Sequence, residues 1–194
     1  SEFMADNGAT LLDGDGAGSD WIEIHNASLA AVDMAGWYLT DDPAILTKWE
    51  FPSQVLQPDE SFVLFASGKD RASAGGELHT NFELQDAGEY LALVDPDGVK
   101  RVSEFSPTFP AQKKDVSYGT LGQAQTLGYF TYPTPGARNA APQGLPAEPP
   151  SFSLESGLIT APVILDLSPP PSSSPTAEIR YTLDGSIPDG TTPL

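Results

Sequence analysis

The apolar residues of this chain recur with period two in short runs, and polar residues and turn formers separate the runs. The run Trp21–His25, for example, places Ile22 and Ile24 on one side of an extended segment. Period-two alternation is typical of strands that bury one face. Because no stretch shows the i, i+3, i+4, i+7 spacing of an amphipathic helix, we predict an all-β protein with no helix longer than two turns.

The inward-facing positions of these runs define the predicted core of a single sandwich: Ile22, Ile24, Trp37, Leu39, Trp49, Phe51, Leu64, Leu91 and Leu93. The run Phe62–Ala66 is apolar on both faces, which predicts a central strand. Asp95–Gly98 combines proline and glycine in turn positions and predicts a hairpin. The same alternation turns Glu23 and His25 towards solvent.

Composition narrows the classes of function. The 194 residues include 18 Gly and 19 Pro, which punctuate the chain too often for long helices, and no Cys, which excludes disulfides and thiolate chemistry. Nine Lys and Arg against 27 Asp and Glu give a net charge of −18. Phosphate backbones and anionic membranes would repel such a chain, so we expect neither a nucleic-acid partner nor membrane insertion.

A change in composition after Asn139 predicts two units. Residues 140–150 carry four prolines and no aromatic residue, which is typical of a semi-rigid spacer. Strand-like patterning then resumes, but only three strands fit before Leu194. We therefore predict a β-sandwich over residues 1–139, a Pro-rich linker over 140–150, and a partial second β-sandwich over 151–194.

Six short motifs, taken in order, resemble those of the lamin tail domain in the form found in large exported bacterial proteins: Ser1–Ala5, Asp20–Asn26, Val32–Leu39, Leu56–Pro58, Asp86–Leu93 and Thr134–Asn139. The resemblance implies an immunoglobulin-like β-sandwich. It also implies an extracellular or cell-surface location, and binding or spacing rather than catalysis.

The segment from Pro149 to Leu194 resembles a different module. Phe152-Ser153, Ala161–Val163 and Ile179–Pro188 look like the first part of the small β-sandwich at the C-terminal end of chitobiases and related hexosaminidases. That module does not carry the catalytic residues of those enzymes. The resemblance leaves two functions open for the chain. One is a module that binds a protein or cell surface, and the other is a carbohydrate-targeting accessory module of an enzyme.

The acidic loop Asp13–Asp20 is the candidate metal site, with Asp13, Asp15 and Asp20 as the candidate calcium ligands. Calcium takes six to eight oxygen ligands, and a glycine-rich loop could wrap carboxylates and carbonyls around such an ion. The spacing does not fit a helix-flanked calcium loop, because Ala17 and Ile24 stand where acidic ligands are needed. Asp and Gly are also common turn formers, so a turn without metal explains the same residues.

Enzyme chemistry finds little support in the sequence. The chain has two histidines and contains neither H-E-x-x-H nor G-x-S-x-G, so we predict no catalytic residues. The tryptophans could stack on sugars, but Trp37 and Trp49 lie in register with apolar neighbours and are interpreted as core. The position of Trp21, beside the acidic loop, is left open.

Overall fold

The computed structural model describes residues 1–121, 126–139, 150–154, 162–169 and 178–183. The chain divides into two compact units, Ser1–Leu145 and Pro146–Leu194. The predicted linker lies outside the described residues except for Pro150, so its role as a spacer stays a prediction.

The described residues of the first unit form eleven strands: β1 (Glu2–Met4), β2 (Asp20–His25), β3 (Val32–Asp33), β4 (Tyr38–Thr40), β5 (Trp49–Glu50), β6 (Val55–Leu56), β7 (Ser61–Ala66), β8 (Leu91–Val94), β9 (Arg101–Phe105), β10 (Ser117–Leu121) and β11 (Thr126–Phe130). One antiparallel sheet has the order β11-β10-β1-β2-β7, and a second has the order β5-β4-β8-β9. The short strands β3 and β6 pair separately. The two main sheets form an immunoglobulin-like β-sandwich, and the all-β prediction is confirmed.

A hydrophobic core lies between the two main sheets. Phe3, Ile22 and Leu64 of the first sheet pack with Leu39 and Leu91 of the second. Of the nine predicted core residues, seven are buried, and the remaining two, Trp37 and Leu93, are partly buried against the same cluster. The period-two pattern therefore identified the inner face of both sheets.

The outer face of the first sheet is also covered. Trp21 is fully buried there with Met4 and Phe65, which explains why β7 is apolar on both faces. The prediction that β7 is a central strand was wrong, because β7 lies at the end of the five-stranded order. Its outer edge is covered by an irregular segment, with Phe65 N–H donating to the Leu78 carbonyl at 2.9 Å and Thr80 N–H to the Phe65 carbonyl at 2.8 Å.

The predicted hairpin joins β8 to β9. Gly98 N–H donates to the Asp95 carbonyl at 3.0 Å and Asp95 N–H to the Lys100 carbonyl at 3.0 Å. Gly98 has φ of 72°, a left-handed conformation that glycine adopts without a steric penalty. The turn thus delivers β9 antiparallel to β8, with a register shift between Leu93 and Val94.

In the described part of the second unit, β12 (Ser151–Phe152) pairs with β13 (Leu167–Ser168). Several of its apolar side chains are exposed, among them Ile164 at 84% and Leu183 at 95%. The likeness to the chitobiase module stays a prediction. The described residues of the chain include no apolar helix of membrane-spanning length.

Candidate functional site: a cleft at the open edge of the sandwich

A cleft of about 780 Å³ opens between the two main sheets of the first unit. Its apolar walls come from inward-facing residues of both sheets: Phe3, Ile22, Ile24, Leu39, Leu91 and Leu93. Its mouth is bordered by β9, by the loop after β2 and by the segment that follows β11. Volumes of about 300–1,000 Å³ are typical of ligand sites, so the cleft is large enough to bind one.

Strand β9 borders the cleft through Val102, Ser103 and Phe105. At the end of β9, the Phe105 ring packs against Phe3 and Tyr118, with centroid distances of 5.2 and 6.0 Å, and holds the sheets together. Two positions earlier, Ser103 lies opposite Leu93. Cross-strand partners share a face, so a small side chain stands where a large one would be needed to close the sandwich. The space that Ser103 leaves unfilled lies within the cleft.

The loop at the mouth is held by Asn26, which is buried. Its side-chain amide donates to the carbonyls of Ala30 at 2.8 Å and Leu56 at 3.1 Å. Its side-chain oxygen accepts from Ser28 N–H at 3.0 Å. These bonds fix the loop while Leu29, at its tip, stays 98% exposed. Leu29 therefore presents an exposed apolar side chain beside the apolar cleft.

One side of the mouth is charged. The Arg138 guanidinium donates to both carboxylate oxygens of Asp59 at 2.6 Å, and His25 Nε2 lies 3.6 Å from Asp59. The guanidinium holds the pKa of Asp59 below its usual range. The mouth therefore carries an ion pair, in which one guanidinium nitrogen of Arg138 contacts both oxygens of Asp59, beside its apolar side.

Two buried glutamates anchor the segment that carries Arg138. Glu2 and Glu23 are direct partners across β1 and β2, and each is 1% exposed. Thr134 donates its hydroxyl to Glu2 at 3.1 Å, and Gly136 N–H donates to Glu23 at 2.7 Å. Burial raises the pKa of Glu2 despite these bonds. The expectation that Glu23 faces solvent was wrong, because residues 134–136 cover it.

The structure brings two of the three predicted calcium ligands together. Lys69 Nζ lies 2.5 Å from an Asp13 oxygen and 2.7 Å from an Asp15 oxygen. Arg71 also binds Asp15, at 2.8 Å. Asp13 is buried, which favours its neutral form, but hydrogen bonds from Lys69, Ser19 and backbone N–H groups hold its pKa well below the usual range. The Lys69 ammonium thus pairs with two of the three candidate calcium ligands.

Asp20 does not join that pair. It accepts N–H bonds from Asn7 and Leu84, and burial raises its pKa to about 6, with Glu83 and Asp6 adding repulsion. In the described part of the chain, no group of three or more His, Cys, Asp or Glu residues is arranged to hold a metal ion. Calcium binding in this loop stays a prediction.

Comparison with known families identifies the first unit. The family model described as Lamin Tail Domain matches residues 1–108, more than half of the chain, from β1 to just beyond β9. This chain belongs to the lamin tail domain family. Neither the comparison with curated proteins nor that with solved structures found a match. The matched region of the lamin tail domain includes both walls of the cleft.

The lamin tail domain also contains a hydrogen-bonded network of polar side chains that the sequence did not predict. His79 is fully buried, its Nδ1 lies 2.8 Å from the Ser67 hydroxyl and its Nε2 lies 2.8 Å from Glu77. In the neutral imidazole, Nε2–H donates to Glu77 and Nδ1 accepts the Ser67 proton. Glu77 also accepts from Gly14 N–H at 2.9 Å. This network therefore gives both ring nitrogens of the buried His79 a hydrogen-bond partner. Through Glu77 it also joins the acidic loop to the rest of the domain.

Proposed function

We propose that this lamin tail domain is a non-catalytic interaction module of an exported bacterial multidomain protein. Its partner is a protein or a glycan outside the cell or at the cell surface. The observation that carries the proposal is the apolar cleft at the open edge of the sandwich, with a fixed loop at its mouth. The resemblance of the motifs to the bacterial form of the domain supports the exported context.

Between the two kinds of partner, the burial of two of the three tryptophans favours a protein. Trp21 and Trp49 are 0% and 2% exposed and could not stack on a sugar ring. Apolar side chains predominate in the cleft walls, and a glycan surface would offer them few complementary groups. The carbohydrate-targeting alternative therefore has less support than the protein-binding one.

Chemical-shift mapping on the isotopically labelled full chain tests this proposal. The probes are a mixture of apolar peptides and, separately, soluble chitooligosaccharides. We expect the peptides to shift the signals of Leu29, Leu93 and Ser103. The variant Ser103→Phe, which places a large ring in the cleft beside β9, should weaken these shifts, whereas Val55→Phe at an exposed position of β6 should keep them. Shifts confined to other surfaces would contradict the proposal.

A second measurement addresses catalysis. The acids that line the cleft, Glu2, Glu23 and Asp59, are each bound by other residues of the chain: Thr134 donates to Glu2, Gly136 N–H to Glu23 and Arg138 to Asp59. We expect no turnover of a chromogenic hexosaminide by the purified chain. Turnover that co-elutes with the protein through successive purification steps would show that the chain is an enzyme.

A further inference from the structure

Strand β9 is an open sheet edge. It ends the order β5-β4-β8-β9, and no other strand of the described residues pairs with its outer side. Four of its five residues, Arg101 to Glu104, are exposed. An edge strand presents unpaired N–H and C=O groups, which another extended chain can pair with. The five residues give an edge of roughly 17 Å, at about 3.4 Å per residue.

The open edge borders the cleft along its length, since Val102, Ser103 and Phe105 all line it. In a strand that pairs with β9, alternate side chains would point into the cleft, towards Leu93 and Ile24. The intervening side chains would point away from it. A ligand that both pairs with the main chain of β9 and occupies the apolar cleft is therefore an extended segment with apolar residues at every second position.

The charge of the domain indicates what the intervening residues should be. Residues 1–139 contain eight Lys and Arg against 21 Asp and Glu, a net charge of −13. At least six of these cations already form ion pairs with carboxylates: Lys48, Lys69, Arg71, Lys100, Arg101 and Arg138. The excess charge is thus carried by carboxylates spread over the domain, and its long-range field attracts a cationic partner and speeds its association.

We propose that the cleft and the open edge of β9 bind an extended basic segment of another protein by strand addition. Main-chain hydrogen bonds join the segment to β9, its apolar side chains enter the cleft beside Ser103, and its Lys or Arg side chains face the acidic surface. This inference rests on the proposed function and names the kind of partner that the cleft binds.

The outer face of β9 is held in place for such pairing. The Tyr90 hydroxyl donates to Glu104 at 2.8 Å, and Arg101 Nε donates to the same hydroxyl at 3.0 Å. Side chains on that face bind one another and leave the main chain along the free edge exposed. Because the strand is already formed, binding incurs no further cost for ordering the backbone of β9.

Fluorescence anisotropy with the full chain tests the proposal. The probe is a labelled, acetylated octapeptide of alternating lysine and valine. The first control peptide has N-methyl groups on alternate residues and cannot donate to β9, and the second has glutamate in place of lysine. We expect each control to bind at least about tenfold more weakly than the probe. Affinity for the probe should fall between about 0.05 and 0.5 M salt, because salt screens the attraction.

The protein variants separate this proposal from the proposed function. Ser103→Phe should weaken binding of the probe by about tenfold or more, and Val55→Phe should leave it unchanged. If the N-methylated peptide binds as well as the probe and Ser103→Phe weakens both, the cleft binds peptides but strand addition is wrong. Equal binding of the glutamate peptide would refute the charge argument. If Ser103→Phe changes nothing, or no peptide binds, the cleft is not the site and both proposals fail.

Discussion

Asp20 provides a direct test of the electrostatics beside the acidic loop. Burial raises its pKa from 3.8 to about 6, and the nearby Glu83 and Asp6 repel its charge, while N–H bonds from Asn7 and Leu84 only partly compensate. The folded state therefore holds a carboxylate near neutral pH in surroundings that favour the protonated acid. Substitution Asp20→Asn removes the charge and keeps an oxygen that can accept the same N–H bonds.

The magnitude follows from the shift in pKa. A rise of about two units corresponds to roughly 3 kcal/mol at pH values above 6, at 1.36 kcal/mol per unit. Asp20 is half-buried, so water screens part of this cost, and we expect about 1–2 kcal/mol. Because the folded pKa is the higher one, the cost is present above pH 6 and disappears as the pH falls below the unfolded value.

Chemical denaturation of both proteins at several pH values measures the effect. At pH about 7.5, Asp20→Asn should raise the free energy of unfolding by about 1–2 kcal/mol, and near pH 3, below the unfolded pKa, the difference should vanish. Asp33→Asn is the matched control. Asp33 accepts bonds from Ala35, Ser53 and Gln54 that lower its pKa, so the same substitution there should not stabilise. A destabilised Asp20→Asn variant, or a gain that does not change with pH, would refute the reasoning.

Three further predictions concern the same unit. Calcium should raise the melting temperature no more than magnesium at equal ionic strength, since Lys69 already neutralises Asp13; a calcium-specific rise that Asp13→Ala removes would restore the metal site. Ser67→Ala removes the hydroxyl that bonds to Nδ1 of the buried His79 and should lower the free energy of unfolding by about 1–2 kcal/mol in denaturant titrations. An unchanged free energy of unfolding would show that this bond does not stabilise the fold. Gly88→Ala should cost about 2–4 kcal/mol by the same assay, because φ is 97° and the new Cβ would lie 2.3 Å from the Phe109 oxygen; an unchanged midpoint would contradict this.

The sequence predicted what depends on local pattern. Alternation located Ile22, Ile24 and Leu39 on the inner faces, and the Asp95–Gly98 turn chemistry located the β8–β9 hairpin. Both follow from interactions between residues close in the chain. The resemblance of the motifs supplied what periodicity could not, the immunoglobulin-like topology in which β1 pairs with both β2 and β10.

The errors arose where distant segments cover a surface. Glu23 alternates with Ile22 and Ile24, but Gly136 approaches it from 113 residues away. The calcium site in the acidic loop stays a prediction, but no residue near Asp13 in the sequence indicates that Lys69, 56 residues later, binds two of its carboxylates. Alternation distinguishes two faces of a strand and carries no information about whether the second face is covered. The cleft was missed for a related reason, since it depends on Ser103 standing opposite Leu93 in a register that only the fold establishes.

The acidic residues of the first unit fall into two groups, those bound by a cation of the chain and those without such a counterion. The two groups contribute differently to the binding of a partner. Asp13, Asp15 and Asp59 are bound by cations of the chain itself, so they stabilise loops and offer little to a ligand. Most of the remaining carboxylates have no such counterion, and their repulsion is a cost that the folded domain bears at neutral pH. A basic segment on β9 would relieve this repulsion without contacting most of the carboxylates. Part of the binding energy then comes from the whole surface, which is why affinity should depend on salt even though the cleft walls are apolar.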